Sequence, residues 1–434
     1  MGLINKRDSY LKELARFGSK LGLQRIEGLL KYLGNPQERV PTVHIAGSNG
    51  KGSTAAMVAA ILTAAGYRVG LYTSPHLSSY TERFQINGRE ISTAALTELL
   101  TEIRGSVADV AGKEGLEQPT EFEVLTAAAL KYFREKGVDL AVMEVGLGGR
   151  LDATNVITPL VSVITHIALE HTDILGPSLL EVAREKAGII KEGVPVVSSR
   201  QDPEVVEIIA EISRLRGAEL TLVGRDIHSG EVSLDAAGIL TNPMGRNWHY
   251  ENLRVSLLGA HQAENTATAL GAIDVLRKKG FLLEEESIRT ALGQLTWPAR
   301  MELVAGEPAF LLDVGHNPDG ARALREAIKS HFPDRDLIMV FGALADKDVE
   351  AMAAILGPLC RLVILTRPNS PRALEPRNLQ TLFQNFAPGV LLAEKIPAAL
   401  KLAAEHAGPT DMVLVCGSFY MVGAAREYIR QGVV

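Results

Sequence analysis

The chain has 434 residues, 46% of them hydrophobic and 22% charged, with a formal net charge of −6. That length sets two or three domains as the expectation, and the mild acidity removes the global attraction for nucleic acid that a basic chain has. No window of about 18 uncharged apolar residues occurs to span a membrane, and two cysteines are too few for a disulfide framework or a zinc site.

The opening stretch, MGLINKRDSYLKELARFGSK, is amphipathic and charged. It lacks the apolar centre of a secretory signal, so the cytoplasm is the expected location. Cys360 and Cys416 sit in apolar, strand-like runs and read as buried hydrophobes in a reducing compartment. Beyond residue 40, short apolar runs alternate with helical patterns. TVHIAG, YRVGLYT, VDLAVMEV, LVSVIT and VPVVSS read as strands, and residues 54–65, 93–104, 121–136 and 178–190 as helices. Buried strands separated by helices predict a mostly parallel sheet covered on both faces.

The rhythm changes at 219–258, where LTLVGRDIHSGEVSLDAAGIL and WHYENLRVSLLG read as a small antiparallel sheet. Helical patterns return at 261–279 and 284–293. At TWPARME, Pro298 interrupts any helix and biases Trp297 towards extended backbone. Strand runs AFLLDVG, DLIMVFGAL, RLVILT and DMVLVCGS then resume the α/β alternation. The expected architecture is α/β: an N-terminal P-loop-type domain over 1–297, carrying the small antiparallel sheet, and a smaller Rossmann-like α/β domain over 298–434.

Within this frame, Gly47-Ser48-Asn49-Gly50-Lys51-Gly52-Ser53 lies between a strand and a helix. Glycines let backbone amides converge on phosphate oxygens, the helix start adds positive potential, and Lys51 brings a full charge to the β and γ phosphates. The strict pattern GxxxxGK[ST] fails, because Ile45 stands where a glycine is required and Gly52 follows Lys51. The hydroxyl that usually meets Mg²⁺ is therefore missing from the loop. Ser74 ends the next strand at a Thr-Ser-Pro corner and is either that hydroxyl or merely the start of a turn. Glu144 ends VDLAVME, and a carboxylate at the end of a buried strand calls for a cation, with Mg²⁺ the natural one. The loop behind it, GLGGRLDATN, reads as flexible and suited to closing on a substrate. LVSVITHIALEHTDILG brings His166, Glu170 and His171 to another strand end, with a spacing too loose for a HExxH zinc site. Lys186 lies in an amphipathic helix beside Gly188 and reads by default as an ordinary solvated lysine; Lys191 is explained by the helix dipole.

Taken in order, GSNGKGS, YTSPHL, MEVGLGGRLDATN, IALEHTDILG, REKAGIIK, HQAENTATAL, WPARME and LLDVGHNPDG resemble the folylpolyglutamate synthase/dihydrofolate synthase family, a branch of the Mur-ligase-like ATP-dependent amide ligases. The resemblance runs over nearly the whole chain. It implies that ATP converts a carboxylate into an acyl phosphate, which the amine of L-glutamate attacks with loss of phosphate. It further implies that Ser48, Asn49, Gly50, Lys51, Gly52 and Ser53 hold the triphosphate, together with Asn265, Arg300 and Asp313. Ser74, Glu144 and His171 match Mg²⁺ ligands, and Lys186 matches a lysine carboxylated to a carbamate that holds a second Mg²⁺. Lys51, Lys186 and His316 are the catalytic candidates. Thr120, Glu121, Phe122 and Glu123, with Leu151, Asp152 and Ala153, match segments that contact the pterin. Because Arg300 and Asp313 belong to the second domain, closure is expected to assemble the site.

TEFE, GLGGRLDATN and SPHL resemble the bifunctional bacterial members, which act on both dihydropteroate and reduced folates; a folylpolyglutamate synthase alone is the alternative. A peptidoglycan-precursor Mur ligase would share the loop and the metal logic, but only about 40 residues precede the loop, too few for a further sugar-nucleotide domain. A nucleotide-switched binding protein that ligates nothing would not need the polar residues at the strand ends. The expected partners are MgATP, L-glutamate and a pterin acid, with no nucleic acid and no membrane, and the family suggests a monomer.

Overall fold

The computed structural model describes residues 10–432 apart from 12, 15, 17, 19, 114 and 115, so the amphipathic stretch read at 1–20 lies largely outside the described residues. The described residues fall into two compact units, one within Met1–Gly230, Asn242–Leu253 and Glu264–Gln294, the other within Glu231–Thr241, Arg254–Ala263 and Leu295–Val434.

The strands of the first unit are β1 (Thr42–Ala46), β2 (Val69–Tyr72), β3 (Phe84–Ile86), β4 (Arg89–Glu90), β5 (Leu140–Glu144), β6 (Val161–Ile164), β7 (Val196–Ser198) and β8 (Leu220–Leu222), all mainly apolar runs except the short, exposed β4. They make one sheet in the order β4-β3-β2-β5-β1-β6-β7-β8. From β2 to β8 every pairing is parallel, while β3 and β4 form an antiparallel edge hairpin. The central strands are buried on both faces, which is why they read as unbroken apolar runs rather than alternating ones. On one side Leu125, Leu130 and Phe133 of the helix Glu121–Glu135 share a core with Tyr72 and Met143. Another core joins Ile164 and Val196 to Val182 and Ile209 of the helices Leu179–Ala187 and Pro203–Leu215.

Two expectations need correction. Leu220–Leu222, read as part of the small antiparallel sheet, instead pairs in parallel with β7, Val196 opposite Leu220. The helix Pro203–Leu215 is the crossover of a βαβ unit, and its returning strand joins the parallel sheet. The antiparallel sheet is smaller than expected: β9 (Val232–Asp235), β10 (Gly238–Thr241) and β11 (Leu253–Val255), in the order β11-β10-β9. Secondly, the GLGGRLDATN loop is pinned rather than loose. The Arg150 amide donates to Glu185 O at 2.7 Å, Asn155 Nδ2 donates to Arg150 O at 2.9 Å and Gly188 O at 3.2 Å, and Asp152 is buried.

The second unit carries β12 (Glu302–Val304), β13 (Ala309–Leu312), β14 (Leu337–Phe341), β15 (Cys360–Leu365), β16 (Val390–Leu392) and β17 (Met412–Cys416), ordered β12-β13-β17-β14-β15-β16. All pairings are parallel except the β12 edge. Its core includes Leu311, Met339, Phe341, Val363, Phe383 and Leu414. Cys360 and Cys416 are free and buried there, and burial pushes the Cys360 thiol up to about 12. No described helix is long and apolar enough to cross a membrane.

Candidate active site

β1 runs straight into the phosphate loop, and the helix Lys51–Ala64 leaves it almost wholly buried. Gly47 sits at φ +148°, where a Cβ would collide with Thr165 Oγ1 and lie 3.1 Å from the Thr165 carbonyl carbon. Gly47→Ala is therefore expected to cost about 1–3 kcal/mol of folding stability. A denaturant titration reads this, and an unchanged midpoint would mean that the loop yields freely. The Ser48 and Asn49 amides both donate to His166 O, at 2.8 and 3.1 Å. Ser48 Oγ donates to Ala168 O at 2.9 Å and accepts from the Ala168 amide at 3.0 Å, so the segment after β6 braces the loop. The first-turn amides of Lys51, Gly52 and Ser53 have no earlier carbonyl in their own helix to bond, which leaves a donor-rich helix start. Any side chain at Gly50 would run into Asn265 Oδ1, which places Asn265 against the loop.

Two cations converge on Gly47. Lys51 Nζ donates to Gly47 O at 2.8 Å and to Ser48 O at 3.1 Å. Lys186 Nζ donates to the same Gly47 O at 2.8 Å and to Glu170 Oε1 at 2.8 Å. Lys186 is not a solvated lysine: it is 2% exposed, although it lies on a helix. Burial pulls its ammonium down to about 8 against the opposing pull of Glu170. Burial would raise the Glu170 carboxyl, but the Lys186 and Lys51 cations outweigh it and hold Glu170 well below the usual carboxylate range. The sequence places Glu170 at a strand end without an evident partner; the burial of Lys186 supplies it, since a buried lysine needs a counter-charge. Gln201, which sequence reading missed, accepts from the Ile167 amide at 2.9 Å and donates to Thr165 O at 2.9 Å, fixing the end of β6.

Glu144 ends β5 beside β1, opposite Ile45 in the register, and is 4% exposed. Its Oε2 accepts the Ser74 amide at 3.0 Å, so two of the expected metal residues meet. His171 begins the helix Thr172–Leu175 with a left-handed backbone, next in sequence to Glu170. Among the described residues no three His, Cys, Asp or Glu side chains form a metal-sized cluster. Mg²⁺ does not need one, because it usually keeps several waters and takes one or two carboxylates plus phosphate oxygens. Glu144 supplies such a carboxylate, beside the Ser74 corner and the end of β1 from which the phosphate loop leaves.

The expected pterin segments are divided in their roles. Thr120 and Glu123 form a capping box at the start of the helix Glu121–Glu135, the Thr120 amide donating to Glu123 Oε2 at 2.6 Å. Glu123 is also paired with Arg25, whose Nε donates to both carboxylate oxygens at 3.0 and 3.1 Å. Its carboxylate is thus committed to the fold. Phe122 stacks near Tyr72, with ring centroids 6.1 Å apart, and Glu121 is half-exposed with its pKa raised by burial against the pull of Arg83. Asp152 accepts the Leu147 amide at 2.8 Å and the Thr154 amide at 3.0 Å. Leu151 is half-buried and Ala153 buried. Thr154 Oγ1 donates to Asp152 Oδ1 at 2.5 Å and accepts from His44 Nε2 at 2.8 Å, which makes His44 the Nε2–H tautomer. Burial drives the His44 pKa down to about 3, so the imidazole is neutral.

In the second unit, Asp313 follows β13 and accepts the Met301 amide at 3.0 Å and the Gly315 amide at 2.7 Å. Burial raises its pKa against the pull of Arg300. The Arg300 guanidinium lies 5.3 Å from the centroid of the Phe419 ring, and the His316 ring is 5.6 Å from the same ring. Arg300, Asp313 and His316 therefore form one cluster. His261 belongs to it as well, its pKa lowered to about 4 by burial and then by Arg300.

A phosphate loop feeding a parallel sheet, followed by a second α/β unit, defines the class. The profile of the Mur ligase middle domain matches residues 45–273, and that of the Mur ligase glutamate ligase domain matches residues 299–419. The dihydrofolate synthase/folylpolyglutamate synthase of Bacillus subtilis is 34% identical over 97% of this chain and 98% of its own. Among solved structures, Mycobacterium tuberculosis folylpolyglutamate synthase complexed with ADP superposes with a TM-score of 0.92 at 34% identity, covering 98% of each chain. Escherichia coli FolC in complex with DHPP and ADP does so with a TM-score of 0.87 at 33% identity, covering 98% of each chain. The chain belongs to the dihydrofolate synthase/folylpolyglutamate synthase family of Mur-type ligases. Its activity is accordingly that of an ATP-dependent ligase that adds glutamate in folate metabolism.

Proposed function

We propose that the chain catalyses both family reactions, joining the amine of L-glutamate to the carboxylate of dihydropteroate and to that of reduced folates, with release of ADP and phosphate. The observation that supports its phosphate chemistry is the convergence of Lys51 and Lys186 on Gly47 O in a loop that opens a helix, with the buried Glu144 at the neighbouring strand end; the use of both acceptors is supported by relatives named for both activities, such as those of Bacillus subtilis and Escherichia coli. A carboxylate resists amines because oxide is a poor leaving group. A site that gathers cations and backbone amides around phosphates lets that oxygen leave as phosphate instead.

On this reading Ser48, Asn49, Gly50, Lys51, Gly52, Ser53, Asn265, Arg300 and Asp313 are the ATP-holding residues. The proposed functional division is 1–297 for the ATP-binding part and 298–434 for the ligase part, although Glu231–Thr241, Arg254–Ala263 and the chain from Leu295 belong to the second compact unit. Ser74, Glu144 and His171 would hold Mg²⁺, and Lys186, as a carbamate, a second ion. When bound, Mg²⁺ neutralises the charge that builds on the transferred phosphoryl group. Lys51 draws the β and γ phosphates to the helix start. Phe122 and the Leu151–Ala153 loop supply an apolar wall and a fixed carboxylate for the pterin, and His316, beside Asp313, is a catalytic candidate. The protein works as a monomer in the cytoplasm.

One assay tests this reading. Enzyme, MgATP and L-glutamate are mixed with either dihydropteroate or tetrahydrofolate, and ADP and phosphate are followed. Turnover is expected with each acceptor and not without glutamate, and oxygen isotope in the acceptor carboxylate should appear in the phosphate. Turnover with tetrahydrofolate alone would reduce the activity to folylpolyglutamate synthesis. Release of AMP and pyrophosphate, or ATP turnover indifferent to pterin and glutamate, would overturn the ligase reading.

A further inference from the structure

WPARME contains more than Arg300. Ala299 has φ +57° and Met301 φ +48°, so two residues with side chains hold left-handed backbone on either side of the arginine, and both are buried. L-residues adopt this conformation only where their surroundings impose it. Three hydrogen bonds impose it here. The Ala299 amide donates to Glu302 Oε2 at 2.8 Å, the Val314 amide donates to Ala299 O at 3.0 Å, and the Met301 amide donates to Asp313 Oδ2 at 3.0 Å. Asp313 is already assigned to the nucleotide, whereas Glu302 has no role in that reading.

Glu302 is the first residue of the edge strand β12. Its carboxylate also accepts from Arg426 Nε at 2.7 Å and from Arg430 Nη2 at 3.2 Å, and the Glu302 and Arg426 side chains are each only 17% exposed. Arg426 and Arg430 lie on the helix Phe419–Arg430, whose first residue supplies the ring beneath the Arg300 guanidinium. Residues 419, 426 and 430 are seven and then four apart, so they share one face of that helix. A single helix face thus fixes both ends of the arrangement: the platform for the guanidinium through Phe419, and the backbone that aims it through Arg426 and Glu302.

We propose that Glu302, oriented by Arg426, is a positioning residue that holds the strained Ala299–Met301 backbone and so aims Arg300 for ATP. This rests on the reading that Arg300 meets the nucleotide. If Glu302 only stapled the last helix, its loss would lower stability and leave the kinetics alone.

The test compares Glu302→Ala, Ala299→Gly, the double variant and Arg300→Ala in the ADP-release assay, with unfolding midpoints recorded alongside; alanine is used because a glutamine oxygen could still accept the Ala299 amide. Glycine takes the left-handed conformation freely, so Ala299→Gly alone is expected to stay within about twofold of wild type. Glu302→Ala should lose about 10- to 100-fold in kcat/KM for ATP, as expected of a misaimed group, with KM for glutamate little changed. Adding Ala299→Gly should restore most of that loss without restoring the unfolding midpoint. If Glu302→Ala does not fold, Arg426→Gln, which leaves the carboxylate in place, undergoes the same comparison. Loss of activity in Arg300→Ala, with the Glu302→Ala loss not rescued by Ala299→Gly, would overturn the positioning role and leave the Arg300 reading standing. Wild-type turnover in Arg300→Ala would overturn both, and a lowered midpoint with unchanged kinetics in Glu302→Ala would reduce Glu302 to a staple.

Discussion

Lys186→Ala is expected to lower turnover about 10²- to 10³-fold, the loss typical of removing one pre-organised group from the charge-stabilising part of a site. The argument begins with burial. A lysine 2% exposed, bonded to the Gly47 carbonyl and to Glu170, is held by the fold against the loop proposed to carry the phosphates. Its ammonium is pulled down to about 8, so a neutral amine, the form that attacks carbon dioxide, is within reach near neutral pH. Two chemistries then compete. If Lys186 works as a carbamate, short carboxylic acids should partly restore the alanine variant, because they place an anion where the carbamate would lie. If it works as the ammonium seen paired with Glu170, short alkylamines should restore it and acids should not. Near-wild-type rates in the variant would end both. The same substitution removes the cation directly bonded to the buried Glu170, leaving only Lys51 to offset its charge, and breaking such a buried pair costs about 3–5 kcal/mol. Glu170→Gln in the same chain should return much of that stability without returning activity, and unfolding midpoints would separate the two effects.

What was legible in the sequence follows from the range of the interactions. β1, the loop and the helix Lys51–Ala64 could be read because each is specified by neighbouring residues: a buried apolar run, glycines at a turn, then alanine-rich helix. The parallel sheet was readable for the same reason, because strands buried on both faces lose their alternation. The errors came where a local pattern has two tertiary solutions. Leu220–Leu222 is as plausible in a small meander as at the edge of a parallel sheet, and only its pairing with Val196 decides. GLGGRLDATN looks like a mobile loop until its partners are known: His44 is 110 positions from Thr154, which in turn bonds Asp152. Likewise Glu123 looked available to a ligand, but Arg25, 98 positions away, takes its carboxylate. Glu302 and Arg426 are 124 positions apart, and no local spacing announces them. Candidate residue types at strand ends could be found by reading; which of them are occupied by the fold itself could not.

Glu144 carries the second large effect. Glu144→Ala is expected to lower MgATP turnover about 10²- to 10³-fold, but the alanine variant alone is ambiguous. The carboxylate also accepts the Ser74 amide at 3.0 Å, so its loss would free the Thr-Ser-Pro corner as well as remove a charge. Glu144→Gln separates the two roles, because its amide oxygen can still accept from Ser74 while the negative charge is gone. If the charge matters, as for a residue that draws a divalent cation to the phosphates, the glutamine variant should be nearly as slow as the alanine one. Raising Mg²⁺ should recover part of its rate, since a weakened site fills at higher metal concentration. If Glu144 serves only to hold Ser74, the glutamine variant should turn over normally and the alanine variant should lose stability together with rate. Unchanged turnover in both would place the metal elsewhere, and the carboxylate at the end of β5 would then need another explanation for being buried.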